Sequence, residues 1–213
     1  FSWEGDAFRM IPDESGIGAY FNFGNQQRHR GLTQKTIAVA VCNLQDIWRW
    51  ILTKGYGSTD GGWAFGYHGT VQSWMHSIRD SEGTYRNNYF GPAPIGEWTH
   101  VVATYDAALP SGNMRGYVNG KYSKLLSCPG VVLNPSNALT ALADGGTQPR
   151  PFNGLVKYIR LYNRVLTQDE IAWLYAEPYA GIDYQPRRIF SAERYFPRRK
   201  QQLDGAPFGG VIR

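Results

Sequence analysis

The sequence has two cysteines in 213 residues, Cys42 and Cys128, with neither metal-ligand spacing nor the density of a disulfide scaffold, so two buried free thiols are expected. No run approaches the roughly 20 apolar residues of a membrane-spanning helix. Charged residues make up only 18%, and long stretches rich in Leu, Ala, Glu and Lys are missing, which argues against an all-helical fold. Absent as well are the Gly-x-Ser-x-Gly elbow, the Walker loop, the His-Glu-x-x-His pair and the dinucleotide fingerprint, so the commonest motif-borne catalytic chemistries have no foothold. From Phe1 onward there is no basic, apolar and small-residue succession of the kind that opens a signal peptide.

What the chain does have is 25 Gly, 12 Pro, 7 Trp, 14 Tyr and 10 Phe within a 42% hydrophobic composition, the signature of short strands joined by turns. Residues 19–23, 35–42, 46–53, 63–67, 70–78, 98–105, 114–118 and 155–162 read as strands. Between them lie turn signals, including 55–62 (GYGSTDGG), 91–96 (GPAPIG) and Asn119-Gly120, a two-residue hairpin turn that favours positive φ. One helix is predicted: Thr167 caps 168–175, Glu170 completes a capping box, and Ile171 and Leu174 face the body. Both faces of 98–105 are substantially apolar, so that strand is covered on both sides, with Trp98 and His100 in the core. In 46–53, Ile47, Arg49 and Ile51 share one face and Trp48, Trp50 and Leu52 the other.

The order of these segments resembles the laminin-G-like, concanavalin A-like jelly roll, the superfamily that also holds the pentraxins. Four passages over residues 35–176 carry the likeness: Ile51-Leu-Thr-Lys-Gly55 with Gly62-Trp-Ala-Phe-Gly66, Gly96-Glu-Trp-Thr-His-Val-Val-Ala-Thr-Tyr-Asp106, Met114-Arg-Gly-Tyr-Val-Asn-Gly-Lys121, and 152–171 as closing strand and short helix. The resemblance implies an all-β fold, a sandwich of two antiparallel sheets over residues 1–176. It ends in one short helix, followed by an extended C-terminal arm over 177–213. One departure stands out: where the family's closing strand reads Gly-x-Ile-Asp-Glu, this chain has Gly154-Leu-Val-Lys157-Tyr158, a cation and an aromatic in place of two acids.

Catalysis finds no constellation. Glycoside hydrolases of the wider fold need two carboxylates flanking the bond; Glu4-Gly-Asp6 is the nearest pair and reads as ordinary surface acids, while Asp13 and Glu14 are adjacent and point to opposite strand faces. A turn near Gly69 sets His68 and His76 about six residues apart along a ladder, roughly 20 Å, too far to share a metal. His29 falls in the polar, solvated run 25–30. No cofactor or metal is expected. Calcium, which the resemblance raises, would draw on the loop acids Asp60, Asp106 and Asp144, and a hard cation wants more oxygens than these gather. Sugar binding on such folds uses Trp or Tyr platforms with Asn beside them; Tyr56, Trp63, Tyr85, Asn87 and Asn88, in or beside loops, are the candidates.

The net charge of +5 is concentrated at the C-terminal end, where 177–213 interleaves aromatics, prolines and basic groups. Tyr179, Tyr184, Arg187, Arg188, Phe190, Tyr195, Phe196, Arg198 and Arg199 are the expected docking residues, since aromatics in an extended arm need a covering surface. Leu174-Tyr175-Ala-Glu-Pro178 and Pro186-Arg187-Arg188 resemble the extensions that follow laminin-G-like domains in virion proteins of tailed bacteriophages. Two functional readings follow. The first is a non-enzymatic virion structural protein, a capsid decoration or tail component. It would assemble through the arm with the major capsid or tail protein and with copies of itself. The second is a secreted, extracellular carbohydrate-binding or adhesion module, with calcium assisting. Nucleic acid is disfavoured as a partner, because the basic clusters are short and interspersed with acids. Deleting residues 179–213 is expected to leave a folded sandwich that no longer assembles, and light scattering on the truncated chain checks it: retained assembly contradicts the docking role.

Overall fold

The structure, a computed structural model, describes residues 2–4, 7–10, 21–56, 61–80, 82–135, 139–141, 150 and 152–178. The chain divides into two units, Phe1–Pro178 and Tyr179–Arg213; the second, with every expected docking residue from Tyr179 to Arg199, lies outside the described residues. In chain order the strands are β1 (Ser2–Glu4), β2 (Ala7–Met10), β3 (Phe21–Asn22), β4 (Gln34–Asn43), β5 (Arg49–Lys54), β6 (Trp63–His68) and β7 (Ser73–Arg79). They continue with β8 (Tyr85–Phe90), β9 (Trp98–Asp106), β10 (Met114–Val118), β11 (Lys121–Leu126), β12 (Leu139–Ala141) and β13 (Gly154–Tyr162), and helix α1 (Gln168–Ala176) follows. A seven-stranded sheet runs β1-β2-β13-β4-β9-β10-β11, and a six-stranded sheet runs β3-β12-β5-β6-β7-β8. All their strand pairings are antiparallel, which makes the jelly-roll sandwich that the segment order anticipates.

Alternation along the strands builds the core. Trp63, Phe65 and Tyr67 of β6, with Trp74 and Ile78 of β7 and Phe90 of β8, face Ile37, Val39 and Val41 of β4 and Val101, Ala103 and Tyr105 of β9, all fully buried or nearly so. Each large apolar side chain so buried contributes about 2 kcal/mol relative to leaving it in water. Gly116 is what lets Phe90 enter: a Cβ there would lie 2.1 Å from the Phe90 ring. Asn119 and Gly120 take φ of 49° and 75° in the hairpin between β10 and β11, as their sequence requires.

Helix α1, with Leu166 just before its cap, covers part of the outer face of the seven-stranded sheet by packing Leu166, Ile171 and Leu174 on Ala38, Val102 and Tyr117. Its capping box is complete: the Thr167 side chain accepts from the Glu170 N–H at 3.2 Å, and the Thr167 N–H donates to the Glu170 carboxylate at 2.8 Å. Arg164, forked onto Glu170 at 2.7 and 2.9 Å, and the Thr167 N–H hold that carboxyl down at about 2.

Several boundaries differ from the sequence reading. The fifth strand begins at Arg49 rather than at residue 46, because Asp46 is committed to a turn where it accepts from Tyr67 and Gln72. A bulge between Trp50 and Leu52 turns Leu52 into the core with Ile51, so Leu52 leaves the face that holds Trp50. The turn after β6 is a short 3-10 segment, Gly69–Val71, and the register pairs His68 with Ser73 and His76 with Phe65. The two histidines are therefore about three residues apart along the ladder, roughly 10 Å, not six; an odd offset puts them on opposite faces. Cys42 and Cys128 are free and buried, as expected; burial pushes the Cys128 thiol up to about 11.

The interior between the sheets also holds polar groups. Lys35 is fully buried, with its Nζ 3.6 Å from the centre of the Trp63 ring and without a hydrogen-bond partner. His76 is fully buried beside it with neither ring nitrogen hydrogen-bonded. Loss of hydration is the main cause that lowers both pKa values well below their ordinary range, and for His76 the Lys35 charge adds to it. Lys35→Met removes an amine whose solvation is lost on folding, so the melting temperature is expected to rise by about 3 °C or more; a fall in calorimetry contradicts this account. A lowered folded pKa on a base means that the stability is whole above the unfolded value of about 6.5 for His76 and is lost as pH falls below it. The urea midpoint is therefore expected to drop as pH falls from about 7 toward 5, and His76→Phe is expected to flatten that part of the profile, leaving the shallower loss that Lys35 adds from higher pH.

Candidate functional site

The outer face of the six-stranded sheet is shaped by which residues alternate away from the core. The register places Trp50, Gly66, Met75 and Tyr89 in one row across β5, β6, β7 and β8, with Ala64, Ser77 and Asn87 in the next. Trp50, Ala64 and Met75 are buried, yet they lie on the solvent side of the sheet. They are covered by rings: Trp48, Tyr56 and Tyr89 pack on them as a separate cluster from the main core. Gly66 keeps the row flat, since a Cβ there would lie 2.1 Å from the Arg49 carbonyl oxygen.

The rings form a chain. Trp48 meets His68 at 4.6 Å and Trp50 at 5.5 Å, Trp50 meets Tyr56 at 4.8 Å, Tyr56 meets Tyr85 at 5.0 Å, and His68 meets Tyr89 at 5.3 Å between centroids. Cations sit at both ends: Arg150 lies 3.8 Å over Trp48 and Arg79 5.3 Å over Tyr85. Polar atoms are interleaved. The Tyr56 hydroxyl hydrogen-bonds to Ser77, whose Oγ donates to Asn87 Oδ1 at 2.6 Å. Burial, chiefly, pushes the Tyr56 hydroxyl up to about 12, and burial lowers His68, with the Arg150 charge adding to it. Both are neutral at physiological pH, so the face offers apolar rings, neutral donors and acceptors, and guanidiniums at the margins.

Of the five sugar-binding candidates in the sequence, Tyr56, Tyr85 and Asn87 come together on this face, with Tyr85 40% exposed. Trp63 and Asn88 do not. Trp63 alternates into the core beneath Lys35, and Asn88, one residue from Asn87 and therefore on the opposite face, is buried with its side-chain N–H bonded to the Met114 carbonyl at 3.4 Å. Tyr85, Asn87 and Asn88 lie beside the 80–84 turn rather than in it. They belong to β8, whose polar Arg-Asn-Asn centre hides its strand character. Trp48, His68, Met75 and Tyr89 were not named as sugar-binding candidates from sequence, although the alternation of β6, β7 and β8 places all but Trp48 on this face.

Of the loop acids, Asp60 and Asp144 lie outside the described residues. Asp106 accepts from the Gln34 side chain at 3.0 Å and the Ala108 N–H at 3.0 Å, which makes it a turn former. Asp80 is likewise engaged, by Arg86 at 2.8 Å and by two loop N–H groups. Among the described residues no three His, Cys, Asp or Glu side chains gather as metal ligands. Trp98, expected in the core, is instead 41% exposed: α1 covers Val102 and Ala38 but not the first residues of β9.

The chain matches the family model of the concanavalin A-like lectin/glucanases superfamily over residues 19–172. No curated protein matches it in sequence. Among solved structures, it is similar to the CBM40 of the Ruminococcus gnavus IT-sialidase bound to alpha2,3 sialyllactose, at 14% identity and a TM-score of 0.61, over 79% of this chain and 97% of that one. The heptameric SAP-like pentraxin of Limulus polyphemus aligns at 11% identity and a TM-score of 0.53, over 73% and 81%. The binding domain of Botulinum neurotoxin serotype G aligns at 17% and 0.53, over 82% of this chain and 46% of that one. At these identities the likeness is one of fold.

Proposed function

The chain belongs to the concanavalin A-like lectin/glucanases superfamily, and we propose that it is a non-enzymatic carbohydrate-binding module whose ligand lies on the outer face of the six-stranded sheet. The observation that carries this reading is the chain of half-exposed rings Trp48, Tyr56, Tyr85 and Tyr89 over a fixed floor of Trp50, Ala64 and Met75. Rings fixed in advance stack on the apolar C–H faces of pyranoses without losing side-chain freedom on binding, and Asn87, held in place by the buried Ser77 hydroxyl, supplies hydrogen bonds between them. Arg79 and Arg150 at the two ends favour sugars that carry a carboxylate or sulfate. The CBM40 and toxin binding-domain likenesses are consistent with a binding role. The absence of catalysis is part of the same proposal: Asp46, Asp80, Asp106 and Glu170 are each committed to turn, cap or ion-pair contacts.

A second reading, a virion structural protein that assembles through residues 177–213, rests on the aromatic, proline and arginine pattern of that segment. The two are compatible, since a virion component that binds host-surface glycans needs both. Location in a virion or outside a cell is part of this proposal.

On a glycan array, the protein is expected to bind a defined set of glycans, and Tyr85→Ala to weaken that binding about tenfold, the loss of one stacked ring. Circular dichroism of the variant should be unchanged, because Tyr85 is on the edge strand and outside the main core. Equal binding by the variant, or no glycan bound, overturns the proposal.

A further inference from the structure

The two sheets close on each other unevenly. On one side of the sandwich β10 and β11 meet β8, and Phe90 fills the space that Gly116 leaves. On the other side, where β2 and β13 face β3, β12 and β5, a cavity of about 500 Å³ lies between the sheets. Its floor is continuous with the core: Leu139 and Val156 are buried, and Ile159 packs beside them. Its walls toward solvent are rings. Phe8 meets Phe21 at 5.7 Å, Phe21 meets Phe23 at 6.4 Å with 25° between planes, and Phe21 and Phe23 are each 46% exposed. The polar part of the lining comes from the 3-10 segment Gln27–His29. Arg28 is exposed, and its Nε donates to His29 Nε2 at 3.3 Å, which leaves the Nη groups without a protein partner among the described residues. Burial, with the Arg28 and Lys54 charges added, lowers the His29 pKa, so both charges that bear on this rim are positive. No carboxylate stands among the lining residues. Lys157 also borders the cavity, but its Nζ is engaged 4.8 Å over the Trp98 ring.

We propose that this cavity binds one long-chain carboxylate, a fatty acid, with its alkyl tail between Phe8, Leu139 and Ile159 and its head on the Arg28 guanidinium. Apolar side chains that line an open space lose contacts on that side, and an alkyl chain restores them. A concave, mostly apolar site with a polar group at one end is the form that small amphiphiles occupy. Size agrees as well. A methylene takes about the room of a liquid water molecule, about 30 Å³, so the 500 Å³ cavity holds a tail of roughly a dozen carbons. The head is chosen by charge: a carboxylate accepts from the paired N–H groups of a guanidinium in a fork, whereas an ammonium head would face Arg28 and Lys54 with like charge. Peptides and sugars are disfavoured, because their amides and hydroxyls would lose hydration against walls that return few hydrogen bonds. The site is separate from the ring-covered face of the six-stranded sheet, being an interior space between the sheets at its β3 edge.

The test is a calorimetric and NMR titration of the full chain at neutral pH with octanoate and decanoate, below their micelle-forming concentrations, and with decanol as the uncharged control. Decanoate is expected to saturate a single site and to shift the Leu139 and Ile159 methyl signals together with the Phe21 ring. Octanoate, two methylenes shorter, should bind about tenfold more weakly. Decanol should also bind about tenfold more weakly than decanoate, for want of the charged hydrogen bonds. Arg28→Gln, an exposed position outside the core, should bring decanoate down to the level of decanol and leave decanol unchanged, with an unaltered circular dichroism spectrum. Signals of Trp48 and Tyr85 report the proposed sugar face in the same spectra and should stay in place. No saturable binding of decanoate overturns the proposal, as do shifts confined to residues away from the cavity, or decanoate binding that Arg28→Gln leaves unchanged. Binding to phosphatidylglycerol vesicles without binding of monomeric decanoate would assign the exposed rings to a membrane surface and overturn it too.

Discussion

The face-to-face burial of two antiparallel sheets is the constraint from which the rest follows. Trp63, Phe65, Trp74 and Phe90 on one sheet and Ile37, Val39, Val101 and Tyr105 on the other must project inward to exclude water, and the pleat then obliges every neighbouring residue to project outward. The proposed binding face is therefore not appended to the fold. It consists of residues left over once the core is made, held by strands that the core fixes.

The two outer faces solve their exposure differently. The seven-stranded sheet covers Ala38 and Val102 with a capped helix. The six-stranded sheet covers Trp50, Ala64 and Met75 with side chains of its own, chiefly Trp48, Tyr56 and Tyr89. A face covered by rings keeps apolar surface at the solvent boundary in a fixed geometry, which is what stacking on sugars needs and what a helix would forbid. Its rim of guanidiniums, and the neutral His68 and Tyr56 within it, give the surface polarity without a buried charge. The interior is less accommodating: Lys35 and His76 are buried without hydrogen bonds, and they make the core sensitive to protonation.

The sandwich was legible in sequence wherever pattern and propensity agreed. The strands around 35–42, 98–105 and 114–118, the Asn119-Gly120 turn, and the Thr167–Glu170 capping box all have strong local signals, and all are found in the structure. What escaped was set by tertiary context. The β8 strand has a polar centre because it lies at a sheet edge, and the bulge at Ile51 has no local signature, so Leu52 could not be assigned its face from alternation alone. For the same reason the candidate site was half readable. Tyr56, Tyr85 and Asn87 were found as residue types, while Trp63 and Asn88 were lost to the core by a single step of the pleat. Trp48 and His68 become partners only once two strands are paired.

The most direct test of the central claim is to map, by chemical-shift perturbation, where an oligosaccharide selected from an array contacts the protein. The account predicts perturbations concentrated on Trp48, Tyr56, Tyr85, Asn87 and Tyr89. Perturbations confined to residues off this face, with those five side chains unmoved, would contradict it.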